Sequence, residues 1–112
     1  MIAKAATEIR LTTEDGFVLG ARSYPPAGGG RAVAVAVIHG GTAVPQTFYA
    51  RFAGYLAAAG LQVITYDYRG VGASRPGSLR GFRARMQDWA TDARAALGLA
   101  QQAGVPILWI GH

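Results

Sequence analysis

The chain has 112 residues and no cysteine, so disulfides, thiolate metal sites and thiol catalysis are excluded. A hydrophobic fraction of 51% and 16 glycines indicate a globular chain with tight turns rather than a disordered one. The net charge of +5 is compatible with a nucleic-acid partner. The arginines, however, cluster in only one segment, which is more typical of a solvated loop, so we expect no nucleic-acid partner. The cluster consists of Arg75, Arg80, Arg83 and Arg85.

No segment of residues 1–16 is apolar enough for a signal peptide, and no apolar run approaches the length of a membrane span. We therefore expect a cytoplasmic protein with no membrane partner. No internal repeat or linker divides the sequence, so residues 1–112 are predicted to belong to one domain.

Residues 7–13 and 17–21 alternate between apolar and polar side chains, which is typical of half-buried strands. Asp15-Gly16 lies between them and favours a hairpin, because glycine accepts a positive φ. The sequence therefore opens with a predicted β-hairpin. Its apolar face is formed by Ile9, Leu11, Phe17, Leu19 and Ala21.

Two strand-helix units and a last strand follow the hairpin. Residues 32–38 are apolar without a polar face, as in a parallel strand covered on both sides, and 61–66 and 105–110 are predicted strands as well. Helical periodicity follows Pro45 and begins again near Gln87. This order indicates an α/β fold with parallel strands, right-handed crossovers and helices on both faces. The stripes expected to face the core are Phe48, Phe52, Tyr55, Leu56 and Ala59 in the first helix, and Trp89, Ala93, Ala96, Leu97 and Ala100 in the second.

Chemistry is expected at the carboxyl end of strand 32–38. If strands 61–66 and 105–110 flank it on opposite sides, the strand order reverses beside it, and open α/β sheets bind ligands at such a point. The turn His39-Gly40-Gly41-Thr42 then lines one side of the crevice, and the segment after strand 105–110 lines the other.

The loop Asp67-x-Arg69-Gly70-x-Gly72-x-Ser74 suggests nucleotide binding, but its spacing is not Gly-x-Gly-x-x-Gly. We expect a structural loop that Asp67 or Arg69 ties down, and no nucleophilic role for Ser74. Asp88 and Asp92 are expected to complement the dipole of the second helix rather than to hold a metal. No metal and no cofactor is predicted.

Five motifs in order resemble the N-terminal part of the α/β-hydrolases, in the lipase, esterase and serine-aminopeptidase-like branch. They are Thr13-Glu14-Asp15-Gly16, Tyr24-Pro25, His39-Gly40-Gly41 after an apolar strand, the Asp67–Ser74 loop, and Gly111-His112. The resemblance covers essentially the whole chain and implies that residues 1–112 form a partial α/β-hydrolase domain. It implies a serine hydrolase that cleaves an ester, amide or peptide bond of a small-molecule acyl substrate through an acyl-enzyme.

The resemblance also implies individual roles. Gly111 would be the first glycine of the Gly-x-Ser-x-Gly elbow, and the serine would follow His112. Gly41, with Thr42 as second choice, would donate one backbone N–H to the oxyanion, a contact worth about 3–4 kcal/mol in acyl transfer. The acid and base follow the nucleophile in chain order, so residues 1–112 alone are expected to be inactive. His39 is expected to pack beneath its turn, and the side chain of His112 to point away from the site.

Other interpretations stay open at this stage. The elbow of dehalogenases and epoxide hydrolases carries an aspartate in place of the serine. A nucleotide- or dinucleotide-binding β-α-β module is a second class, disfavoured because Gly-x-Gly-x-x-Gly and Walker sequences are missing. A non-catalytic fragment or interaction protein is a third, and there strand 105–110 would form an exposed apolar edge that predicts poor solubility. No oligomeric state is predicted.

Overall fold

The computed structural model describes residues 6–112. These residues form one five-stranded mixed sheet and two α-helices. The strands are β1 (Thr7–Thr12), β2 (Val18–Tyr24), β3 (Val35–His39), β4 (Gln62–Tyr66) and β5 (Ile107–Gly111). The helices are α1 (Ala50–Ala58) and α2 (Met86–Gln101), and short 3₁₀ turns lie at Gln46–Tyr49 and Gly72–Ser74.

The strand order of the sheet is β1-β2-β4-β3-β5. β3 is parallel to β4 on one edge and to β5 on the other, whereas β2 is antiparallel to both of its neighbours, β1 and β4. The predicted reversal of strand order between β3 and β5 is therefore confirmed. The register places His39 opposite Gly111, so the two segments predicted to line the site end side by side.

The predicted hairpin is confirmed. β1 pairs with β2, with Leu11 opposite Leu19, and the turn contains Gly16 at a φ of 87°. β2 continues to Tyr24, beyond the predicted end at residue 21, because its second half pairs with β4. That extension comes from tertiary pairing, which local alternation does not reveal.

Two apolar cores lie on opposite faces of the sheet, as predicted. Successive residues of β3 alternate between them: Val35 and Val37 face the core of α2, while Ala36 and Ile38 face the core of α1. The strand is thus buried on both faces, which explains its lack of polar residues. The predicted stripe of α2 is confirmed, since Ala96 and Ala100 are buried there.

The predicted core face of α1 is wrong except at Leu56, which packs against the core from its edge. Phe48 and Tyr55 are 68% and 71% exposed, and the buried stripe instead runs through Tyr49, Ala53 and Ala57. The two stripes differ by one residue, and both have apolar residues at helical spacing. Alanines allow the helix axis to approach the sheet closely, so packing selected the stripe with the smaller side chains.

The Asp67–Ser74 loop is held by buried polar contacts, which confirms its structural role. Both carboxylate oxygens of Asp67 accept hydrogen bonds, from the backbone and side chain of Gln46 (2.6 and 2.9 Å) and from the Ala73 N–H (2.9 Å). Ser74 Oγ donates to the Asp67 carbonyl (2.5 Å) and accepts from the Gly20 N–H (2.9 Å). The hydroxyl of Ser74 is therefore fully engaged and is not presented as a nucleophile.

Arg69 joins three segments that are distant in sequence. Its guanidinium donates to Asp92 Oδ1 at 2.8 and 3.0 Å and forms a two-bond pair with Asp15 at 2.9 and 3.0 Å. The Arg69 guanidinium holds the pKa of the Asp15 carboxyl well below its usual range. The expected dipole role of Asp92 is wrong, because Asp92 lies beyond the first turn of α2 and is completely buried against Arg69. Asp88 lies in the first turn and accepts a capping bond from the Arg85 N–H.

We expect Asp92→Ala to lower the free energy of unfolding by about 3–5 kcal/mol, because Arg69 would keep a buried charge with one partner removed. The matched control is Glu14→Ala, which breaks the exposed Arg94–Glu14 pair and should cost less than about 1 kcal/mol. Urea denaturation of both variants measures the difference. Equal losses of unfolding free energy in the two variants would contradict a larger cost for breaking the buried pair.

Candidate functional site

The turn after β3 and the end of β5 are in contact. The His112 N–H donates to the His39 carbonyl at 3.1 Å, which continues the β3–β5 pairing by one residue. A Cβ placed on Gly41 would lie 3.5 Å from Nδ1 of His112. The two segments that the sequence assigns to the site are thus brought together at the carboxyl ends of parallel strands, where α/β sheets bind ligands.

The turn itself is strained at one residue. The Val44 N–H donates to the Gly41 carbonyl at 3.1 Å and closes the turn, and Ala43 adopts a left-handed φ of 61°. This region costs a residue with a Cβ about 1–2 kcal/mol, and such costs concentrate at functional sites. Nothing in the sequence pattern identifies Ala43 as the strained position.

Replacing Ala43 by glycine should raise the free energy of unfolding by up to about 1 kcal/mol, because relief of the left-handed strain exceeds the entropy that glycine costs. The control is Ala90→Gly on the exposed side of α2, which should lower stability by about 1 kcal/mol. Thermal or urea unfolding measures the change in stability of both variants. Loss of stability at both positions would contradict the strain at Ala43.

The hydroxyl of Tyr49 lies between the two segments of the site. It accepts the Gly41 N–H at 2.9 Å and is 2.6 Å from Nδ1 of His112. A Cβ on Gly40 would come within 3.0 Å of the tyrosine ring, so the missing side chain there allows the ring to cross the turn. Sequence reasoning missed Tyr49 because it lies outside the predicted stripe of α1.

The two predicted oxyanion donors differ in availability. The N–H of Gly41 is already bonded to the Tyr49 hydroxyl, whereas the N–H of Thr42 has no acceptor among residues 6–112. Thr42 also lines an open cavity of about 360 Å³ between the turn and α2, with aromatic walls formed by Tyr68, Trp89 and Trp109. In this geometry Gly41 can serve a ligand only after the tyrosine hydroxyl turns away.

His39 packs beneath the turn, as predicted. Its ring is buried, stacks on Trp109 with centroids 4.2 Å apart, and places Nδ1 2.6 Å from the Tyr66 hydroxyl. Burial lowers the pKa of His39 to about 4. His112 departs from the prediction: its ring does not point away but lies beside Gly41 and parallel to the ring of Phe48, 6.3 Å away.

The lowered pKa of His39 predicts acid sensitivity. The ordinary pKa of histidine is 6.5 and the pKa of His39 in the folded chain is about 4. Between these two pH values the unfolded chain therefore binds more protons than the folded chain. The stabilising contribution is complete above pH 6.5 and is lost as the pH falls toward 4. From pH 7.5 to pH 5 we expect a loss of about 2 kcal/mol in the free energy of unfolding. Urea denaturation at both pH values measures it, and His39→Gln should show a smaller loss over the same interval.

Among residues 6–112 there is no group of three or more side chains suited to hold a metal ion. None of the helices in this part of the chain is long and apolar enough to cross a membrane. The cytoplasmic location stays a prediction.

The strand order, the helices on both faces and the turn at the switch point define the α/β-hydrolase fold. Solved structures agree with this fold. An esterase from Pyrococcus furiosus has a TM-score of 0.75 at 16% identity, over 96% of this chain and 41% of that one. Monoglyceride lipase from Saccharomyces cerevisiae has a TM-score of 0.75 at 21% identity, over 100% of this chain and 38% of that one. The α/β-hydrolase GrgF from Penicillium sp. sh18 reaches 0.78 at 19% identity, over 96% of this chain and 37% of that one.

Sequence comparison identifies the family. Residues 30–112 match the family described as serine aminopeptidase, S33. The uncharacterized protein Rv2307c of Mycobacterium tuberculosis is 37% identical over 95 residues, which are 85% of this chain and 31% of the relative. The chain therefore belongs to the serine aminopeptidase (S33) family, and it spans about a third of the length of the curated relatives that it matches.

Proposed function

We propose that the protein is a serine hydrolase that cleaves an ester, amide or peptide bond through an acyl-enzyme. The observation that carries the proposal is the contact between the turn after β3 and the end of β5 at the reversal of strand order. A nucleophile directly after His112 would emerge at this point, beside the backbone N–H groups of the turn. Family membership supports the same chemistry, and no observation favours the nucleotide-binding alternative.

Within this proposal the turn supplies one donor of the oxyanion hole. Thr42 is favoured over Gly41, which reverses the order expected from the sequence. Of these two N–H groups, that of Gly41 is bonded to Tyr49, whereas that of Thr42 has no acceptor in the described part of the chain. A preorganised N–H stabilises the negative charge that develops on the carbonyl oxygen of the substrate, and one such donor is worth about 3–4 kcal/mol. The second N–H would come from the residue after the nucleophile.

We further propose a small-molecule carboxylic ester as the first substrate to examine. The names of two proteins with similar folds, an esterase and a monoglyceride lipase, support ester chemistry as the starting point.

Covalent labelling tests the mechanism. The full protein expressed from its gene should react with a fluorophosphonate probe, because an activated serine attacks phosphorus and forms a stable adduct. Mass spectrometry of the digested protein should place the adduct on a serine immediately after His112. Turnover of a p-nitrophenyl ester should be lost in proportion to labelling.

The matched control is Ser74→Ala. Ser74 is 3% exposed and both hydrogen bonds of its hydroxyl are internal, so the variant should retain labelling wherever it remains folded. A folded protein that neither reacts with the probe nor hydrolyses the ester would refute the serine mechanism. Ester turnover without labelling would likewise contradict an activated serine after His112.

A further inference from the structure

We propose that Tyr49 is a positioning residue that ties the turn after β3 to His112 and thereby holds both sides of the reaction centre in register. The inference rests on the proposed function for its catalytic consequence. Its structural part stands independently on the hydroxyl of Tyr49, which contacts the Gly41 N–H at 2.9 Å and His112 Nδ1 at 2.6 Å.

We assign a direction to each of the two hydrogen bonds of the Tyr49 hydroxyl. A tyrosine hydroxyl carries one proton, and the Gly41 N–H can only donate, so the oxygen of Tyr49 is the acceptor of that bond. Nδ1 of His112 is the remaining partner of the hydroxyl among residues 6–112, and we assign the tyrosine proton to this bond. A neutral imidazole that accepts at Nδ1 carries its proton on Nε2, and Tyr49 thus selects one tautomer of His112.

The packing around Tyr49 allows little movement. Tyr49 is 8% exposed and belongs to the same core as Ala53 and Ala57. These two alanines pack the following two turns of the helix against the sheet. Gly40 lies directly under the ring, where a Cβ would approach it to 3.0 Å. Phe48 lies parallel to the imidazole of His112, with ring planes only 4° apart. The position of the helix therefore fixes the Tyr49 hydroxyl, and the hydroxyl in turn holds Gly41 and His112.

The expected consequence is catalytic alignment. Catalytic groups must be held within about 0.5 Å of the productive geometry, and a misplacement of about 1 Å can cost roughly a hundredfold in rate. The backbone of the turn carries the proposed oxyanion donor, and the backbone of His112 leads directly to the proposed nucleophile. The pairing of β3 with β5, its extension by the His112 N–H and the stacking of His39 on Trp109 also join the two segments, but none of these contacts reaches Gly41.

The test compares Tyr49→Phe with Tyr55→Phe in the full protein. The first variant keeps the buried ring and removes only the hydroxyl, whereas Tyr55 lies on the same helix and is 71% exposed. In Tyr49→Phe we expect faster hydrogen exchange of the Gly41 amide and a downfield shift of the Nδ1 signal of His112 in ¹⁵N NMR spectra, because that nitrogen loses its hydrogen bond. For a p-nitrophenyl ester we expect kcat to fall about ten- to a hundredfold with little change in KM. Tyr55→Phe should match the unsubstituted protein in all three measurements.

The outcomes separate the two proposals. If the unsubstituted protein hydrolyses no ester, the proposed function fails, and the NMR measurements still decide whether Tyr49 holds Gly41 and His112. If the unsubstituted protein is active and Tyr49→Phe retains or exceeds its kcat, the positioning role is overturned. An unchanged Nδ1 signal of His112 together with unchanged exchange at Gly41 overturns it as well. Equal urea midpoints for the two variants would confirm that the loss of kcat does not arise from unfolding.

Discussion

The parallel pairing of β3 on both of its edges is the constraint on which the rest of the structure depends. β3 is buried on both faces, so one helix must cover each face. Right-handed crossovers place α1 and α2 on opposite faces only if β4 and β5 lie on opposite edges of β3. The same arrangement opens a crevice where the strand order reverses, and the register of His39 with Gly111 decides which backbone segments meet in it.

Buried polar groups determine how the loops at this end of the sheet are arranged. Asp67 binds Gln46, 21 residues away, and Arg69 binds Asp92 and Asp15, 23 and 54 residues away. Removing such groups from water is costly, and they are tolerated only when every charge has partners. These networks therefore specify one loop arrangement more than they add net stability. The Tyr49 hydroxyl has a comparable effect at the candidate site, because its polar contacts join the Gly41 backbone to His112.

Local periodicity accounts for the predictions that were confirmed. The hairpin, the three parallel strands, α2 and its core face all follow from alternation, uniform apolar runs and turn residues. The failures share a different cause. The core face of α1 was wrong because two apolar stripes one residue apart have the same period, and the ionic role of Asp92 was missed because its partner is 23 residues away. The orientation of His112 was wrong because it depends on Phe48 and Tyr49, which lie in another element.

The sequence by itself determined the order of elements and the two-faced burial of β3, and it placed the candidate site after His39, because these depend on periodicity and on residues adjacent in the chain. Only the tertiary structure decided which face of α1 is buried, how Arg69 is neutralised and which N–H of the turn is available. Those features depend on the relative positions of side chains far apart in sequence. Tyr49 shows the reason most directly: its hydroxyl contacts Gly41 and His112, 8 and 63 residues away, and only the folded sheet brings the three together.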